Sequence, residues 1–207
     1  MARHSVLAQR LPQSGNTALA ASALIQGALG IEFMLSGLNK VADPHFVANF
    51  DQFVHSSPGT TSGVLSPLVQ ALVLPNIGFF AALITIIELS LGTVLMIGAM
   101  EIGRRRFAGR LGAPRGYEAV VALIAALAGL AASGLTLSIA ILMGEQLPTI
   151  MPGRAFTTAI PVELLIVPLG LAVAWMELGR FLVLRRPTAG VAAVTAVPVA
   201  SKKEASR

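Results

Sequence analysis

The sequence contains no cysteine. That absence removes disulfides, thiolate nucleophiles and iron–sulfur ligation together. Its three histidines, His4, His45 and His55, all lie outside the long apolar runs, so a haem held between histidines inside a membrane is excluded as well. Charge is scarce. Asp, Glu, Lys and Arg make up 12% of the chain, where soluble domains carry about 25%. A surface this poor in charge is not covered by water in the ordinary way. Aromatic residues, at 5%, are also few, which leaves little to cradle an organic cation.

What the chain does have is aliphatic bulk: 55% of its 207 residues are hydrophobic and the mean hydropathy is +0.76. Four apolar runs stand out, at about residues 17–39, 76–100, 119–143 and 159–184. Each is long enough to cross a hydrocarbon core of roughly 30 Å. Backbone polar groups in lipid must satisfy one another, and the runs lack the alternation of a barrel strand, so they are expected to be helices. The sequence therefore predicts an all-α, integral membrane four-helix bundle over residues 17–184. Residues 1–16 precede it, and an Ala/Val-rich tail at 185–207 is expected to be disordered. The first run outlasts the apolar stretch of a signal peptide and contains Glu32, so it reads as a retained helix.

Basic residues are distributed unevenly. Thirteen of fifteen fall before the first run, between the second and third, or at and after the end of the fourth; Lys40 and Arg154 are the two exceptions. The positive-inside rule makes that side cytoplasmic, with both termini inside and four crossings. It also accounts for the net charge of +5 without any nucleic-acid partner. Arg104, Arg105, Arg106, Arg110 and Arg115 read as topology determinants, with anionic lipid headgroups as a second use.

The connection between the first two runs is too long for a bare turn. Within it, Phe46, Phe50 and Phe53 recur at helical spacing, which predicts a short amphipathic helix in the outer headgroup region. Residues 64–75, VLSPLVQALVLP, read as a second interfacial or re-entrant segment.

Acidic residues inside apolar runs are the functional signal. An ionised carboxylate in the bilayer costs several kcal/mol unless protonated, paired or hydrated. Glu32 and Glu88 lie in consecutive spans that run in opposite directions, so both are expected at a similar depth. Ser36 and Asn39 fall on the Glu32 stripe of the first helix, with Lys40 beside it. Ala81, Thr85, Glu88 and Gly92 share a face of the second, where small residues permit close helix approach. The expected site is a polar column of Glu32, Ser36, Asn39 and Lys40 facing Thr85 and Glu88. Interhelical glue is the competing role for these acids, and membrane-boundary snorkelling the competing role for Lys40. Glu163, near the outer end of the fourth span, can extend the site. Glu177, three residues before Arg180, reads as half of an intrahelical pair. Ala125, Gly129, Ser133 and Thr136 of the third span read as packing.

Residues 35–44, LSGLNKVADP, followed by the Phe-bearing stretch and Pro75, and residues 86–98, IIELSLGTVLMIG, resemble the DoxX/DoxD-like four-helix membrane proteins. That family ends its first helix with Gly and Lys before an Asp-Pro turn. It sets a Glu ahead of a Gly- and Leu-rich half of its second helix. The matching positions are Gly37, Lys40, Asp43, Pro44, Glu88, Gly92 and Gly98. The resemblance spans the first half of the chain; the second half agrees in hydropathy. It implies a four-pass protein of the bacterial cytoplasmic (inner) membrane, serving as membrane subunit of a quinone-linked oxidoreductase system beside a partner subunit that carries a redox cofactor. On that reading the cofactor is a quinone, bound by Lys40, Asn39, Ser36 and Thr85, and Glu88 and Glu32 handle protons. Two other readings stay open: a small proton-coupled transporter, and a structural or assembly subunit.

Overall fold

The computed structural model describes residues 11–107, 113–145 and 160–185. The expected disorder beyond Arg185, the first ten residues of the N-terminal segment, and the connection at 144–158 past Glu145 lie outside the described residues. So do Arg110, Arg154 and the start of the fourth run at 159. Among the described residues all regular structure is helical, and four helices are long and apolar enough to cross a membrane.

The first span is α1 (Leu11–Ala42). It stops because Pro44 has no N–H to donate and disfavours helical geometry in the residue before it. The Asp43 carboxylate turns the corner: it accepts the His45 N–H at 2.8 Å and the Asn49 amide at 2.8 Å. These bonds fix the turn that leads into α2 (Phe46–Ser56), the predicted amphipathic helix. Two short turns follow, α3 (Pro58–Thr61) and α4 (Ser66–Leu68). They are knotted by buried polar groups. The Thr60 hydroxyl donates to Val54 O, and Thr60 O accepts from Ser66 Oγ and from Gln70 Nε2, each at 2.8 Å.

Residues 64–75 are continuous with the second span. From Ser66 the chain runs through one π turn (Val69–Val73) and one 3-10 turn (Leu74–Asn76) directly into α5 (Ile77–Phe107). Pro75 forces the irregular stretch, because its ring would strike the carbonyl four residues back in an unbroken α-helix. The second crossing is thereby extended at one end. α6 (Glu118–Met143) ends at Gly144, which adopts the left-handed conformation at φ +68° that glycine takes without penalty. α7 (Val162–Leu184) starts after Pro161 and contains Pro168.

The bundle consists of two tight antiparallel pairs, α1 with α5 and α6 with α7. Each pair closes on backbone because glycine permits it. A Cβ placed on Gly92 would lie 2.6 Å from Met34 N, and one on Gly129 would lie 2.6 Å from Gly170 O. Ser133 adds a bond across the second pair, donating to Val167 O at 2.9 Å. Leu29, Phe33, Leu91, Leu95, Ile166 and Val173 fill the centre between the pairs. Trp175, Leu24, Ile86 and Leu127 are exposed around the perimeter, where lipid tails satisfy them.

Not every glycine serves contact. Gly134 meets nothing within 4 Å of a built Cβ and sits mid-helix. Gly134→Ala should therefore raise stability, by about 0.5–1 kcal/mol from helix propensity alone. A denaturation series in mild detergent measures this.

Candidate functional site

Arg104, Arg115, Arg180 and Arg185 mark one end of the bundle, here the basic end; α2, α3 and α4 cover the other, the loop end. At the loop end the two helix pairs part around a cavity of about 770 Å³, within the range of ligand sites. α5 projects past the end of α1 there, and the aromatic face of α2 fills the step. Phe46, Phe50 and Phe53 line the cavity. Phe33 of α1 and Phe80 of α5 line it too. Five of the nine phenylalanines in the chain thus converge on one space.

Among the described residues its charged groups are Glu32, Lys40, Glu88 and Glu163. Lys40 Nζ stands 2.7 Å from Glu88 Oε2 and donates to Ser36 Oγ at 2.9 Å. Glu88 is 4% exposed, so the ammonium neutralises an otherwise stranded carboxylate. The same ammonium lies 5.9 Å from the Phe46 ring centroid, a cation–π distance. Residue spacing explains how the pair forms. Gly37 abuts Leu89, and Gly30 abuts Gly92 and Met96, so the last turn of α1 is level with Glu88.

That register corrects one expectation. Glu32 and Glu88 do not share a depth: Glu32 lies between one and two turns nearer the basic end, roughly 6–9 Å. The partner of Glu88 is Lys40. Glu32 is exposed to the cavity, and neither it nor Glu163 makes a side-chain hydrogen bond or ion pair among the described residues. Of the other predicted residues, Ser36 lines the cavity. Asn39 opens instead onto a smaller hollow of about 320 Å³ with Asp43. Thr85 is outside the lining and donates back to Ala81 O at 2.9 Å.

A second polar cluster lies toward the basic end, and sequence reasoning found only half of it. Arg180 Nη1 donates to Glu177 Oε2 at 3.0 Å, the expected pair. Ser22 and Gln26 of α1 also donate to Glu177 Oε1, each at 2.9 Å, and Gln26 Nε2 reaches Ser22 Oγ at 2.8 Å. Ser22, Gln26 and Glu177 are at most 1% exposed. The available signal was a Ser and a Gln one turn apart in an apolar run, both polar and both on the same face. Gln26 fits because Gly98 leaves room: any Cβ there would collide with its amide oxygen.

At the basic end itself Arg104 is drawn inward. It pairs with Glu101 through Nε at 2.9 Å and Nη2 at 2.5 Å, and lies 3.5 Å from Glu118. Glu118 also accepts the backbone N–H groups of Arg115 and Gly116 at 2.6 and 2.7 Å. Arg104 thus fastens α5 to α6 in addition to contributing positive charge.

No cluster of His, Asp and Glu suited to a metal ion occurs among the described residues. Fold and site define a four-pass membrane protein with an aromatic, acid-lined cavity at one end of the bundle. Comparison with protein-family models, curated proteins and solved structures finds no match to this chain.

Proposed function

We propose that the chain is the membrane subunit of a quinone-linked oxidoreductase system in the bacterial cytoplasmic membrane, with the basic end inside and the cavity opening on the opposite side. The reading rests on the DoxX/DoxD-like pattern around Lys40 and Glu88, and one observation carries it. A mostly apolar cavity holds its ammonium donor, Lys40 Nζ, against a buried carboxylate, with three rings of α2 alongside. Those residues fit a quinone head: aromatic walls for the ring, and a charged donor for a carbonyl oxygen. The quinone supplies two-electron chemistry when bound; electrons would come from a partner subunit that carries its own redox cofactor.

The residues of this chain would bind, orient and hold protons. Lys40 Nζ is fixed by Ser36 Oγ and Glu88 Oε2, leaving its remaining proton for an acceptor in the cavity. The Glu88 carboxylate beside it is placed to exchange a proton with Lys40 Nζ. Phe33, Phe46 and Phe80 line the same cavity, with Phe46 5.9 Å from Lys40 Nζ. Asn39 and Thr85 have no part in this arrangement.

The test is direct. The full chain in nanodiscs should bind a short-chain ubiquinone saturably, and Lys40→Met combined with Glu88→Gln, which strands no buried carboxylate, should weaken binding about tenfold or more, the loss of one charge-assisted hydrogen bond. Absence of saturable quinone binding in the parent chain would overturn the reading and leave the transporter or the assembly subunit.

A further inference from the structure

The cavity carries more negative charge than its pairing requires. Among the described residues its lining holds three carboxylates, Glu32, Glu88 and Glu163, against the single ammonium of Lys40. Once Lys40 is matched to Glu88, two acids remain. These two come from different helix pairs, α1 and α7, so the excess charge flanks the space instead of crowding one wall. Carboxylates on an apolar wall without a partner are costly, and a mobile cation relieves that cost. The rest of the lining suits a particular kind of cation. A small hydrated ion gains nothing from aliphatic and phenyl walls, whereas a bulky cation with apolar substituents gains dispersion contacts and ring-face attraction at once. The chain already shows the chemistry in miniature: the Lys40 ammonium sits between a carboxylate and the Phe46 ring.

We infer that the cavity is a binding site for lipophilic organic monocations, amines or quaternary cations with apolar arms, held by Glu32 and Glu163 and enclosed by Phe46, Phe50 and Phe53. The inference does not depend on quinone binding, which uses Lys40 at the Glu88 wall. It gives the low aromatic content a different meaning, since the few phenylalanines are concentrated where a cation would sit.

Tetraphenylphosphonium is the probe, and the neutral isostere tetraphenylsilane is its control. The full-length protein in nanodiscs of zwitterionic lipid should bind the radiolabelled cation saturably and the silane not at all. Glu163→Gln and Glu32→Gln should each weaken cation binding about tenfold, the size expected of one unit charge at roughly 10 Å in a medium of intermediate dielectric. Both positions are outside the buried ion pair, so these variants keep their fold. Equal binding of phosphonium and silane, or unchanged cation binding in the Glu32→Gln/Glu163→Gln double variant, would overturn the inference. Quinone affinity measured on the same preparations separates the two readings: it should fall in the Lys40→Met/Glu88→Gln double variant and persist in Glu163→Gln.

Discussion

Arg180→Met is expected to destabilise the bundle by about 3–5 kcal/mol, the cost of leaving a buried charge without its counterion. Glu177 has no exposed surface, and its other neighbours, Ser22 and Gln26, are neutral donors that cannot replace a guanidinium. Arg180→Met combined with Glu177→Gln should recover most of the loss. An amide in place of the carboxylate removes the stranded charge while its oxygen still accepts from Ser22 and Gln26. Thermal unfolding of the single and double variants in the same detergent decides the matter. If the double variant is as unstable as the single, the methylene packing of Arg180 matters and its charge does not. The physical point is asymmetry: this cluster adds little net stability over a well-packed apolar substitute, yet breaking one member is costly. It joins α1 to α7, the two helices that belong to different antiparallel pairs, so its loss should loosen the seam between the pairs before either pair separates.

Gly92→Ala should give the next largest loss, about 1–3 kcal/mol from overpacking, and Gly92→Val more. The added methyl would sit 2.6 Å from Met34 N and 2.9 Å from Met34 Cα. Backbone cannot rotate away as a side-chain tip can, so α1 and α5 must separate. Gly129→Ala faces the same obstacle in Gly170 O and Ala174 N, at 2.6 and 2.9 Å, and should behave alike. A cross-link between cysteines introduced on α1 and α5 would report the separation independently of stability. Unchanged stability and cross-linking in the Gly92→Ala variant would show that the pair is less tightly closed than described. The contrast with Gly134→Ala, expected to stabilise, makes the argument one of contact and not of glycine content.

These residues also show where sequence reasoning ends. The four spans were legible because lipid imposes a length and a polarity on anything that crosses it, and both are properties of consecutive residues. The Glu177–Arg180 pair was legible for a similar reason: i,i+3 neighbours meet on any helix. The packing face of α6 followed from the same local rules, whereas the Asp43–Pro44 turn was expected only from the family resemblance.

The site was only partly legible. Residue types pointed to Glu88, Glu32, Ser36 and Lys40, and all four line one cavity. Their grouping was not legible, because whether Lys40 or Glu32 lies level with Glu88 depends on the sliding of α1 against α5. The glycines set that register by where they admit backbone contact. Ser22 and Gln26 escaped notice because their partner is more than 150 residues away. The phenylalanine triplet of α2 was read as membrane-surface seeking, since a moment along one helix records that a face is apolar and not what covers it.

By itself, then, the sequence determined the crossings, the helical content, the uneven distribution of basic residues and apolar runs free of cysteine and histidine. Each of these follows from composition and short-range spacing. Tertiary structure alone decided that Glu88 meets Lys40, which two acids of the cavity are left over among the described residues, and that α2 closes a cavity. Those outcomes depend on helix register and on contacts between distant segments, which no local pattern encodes.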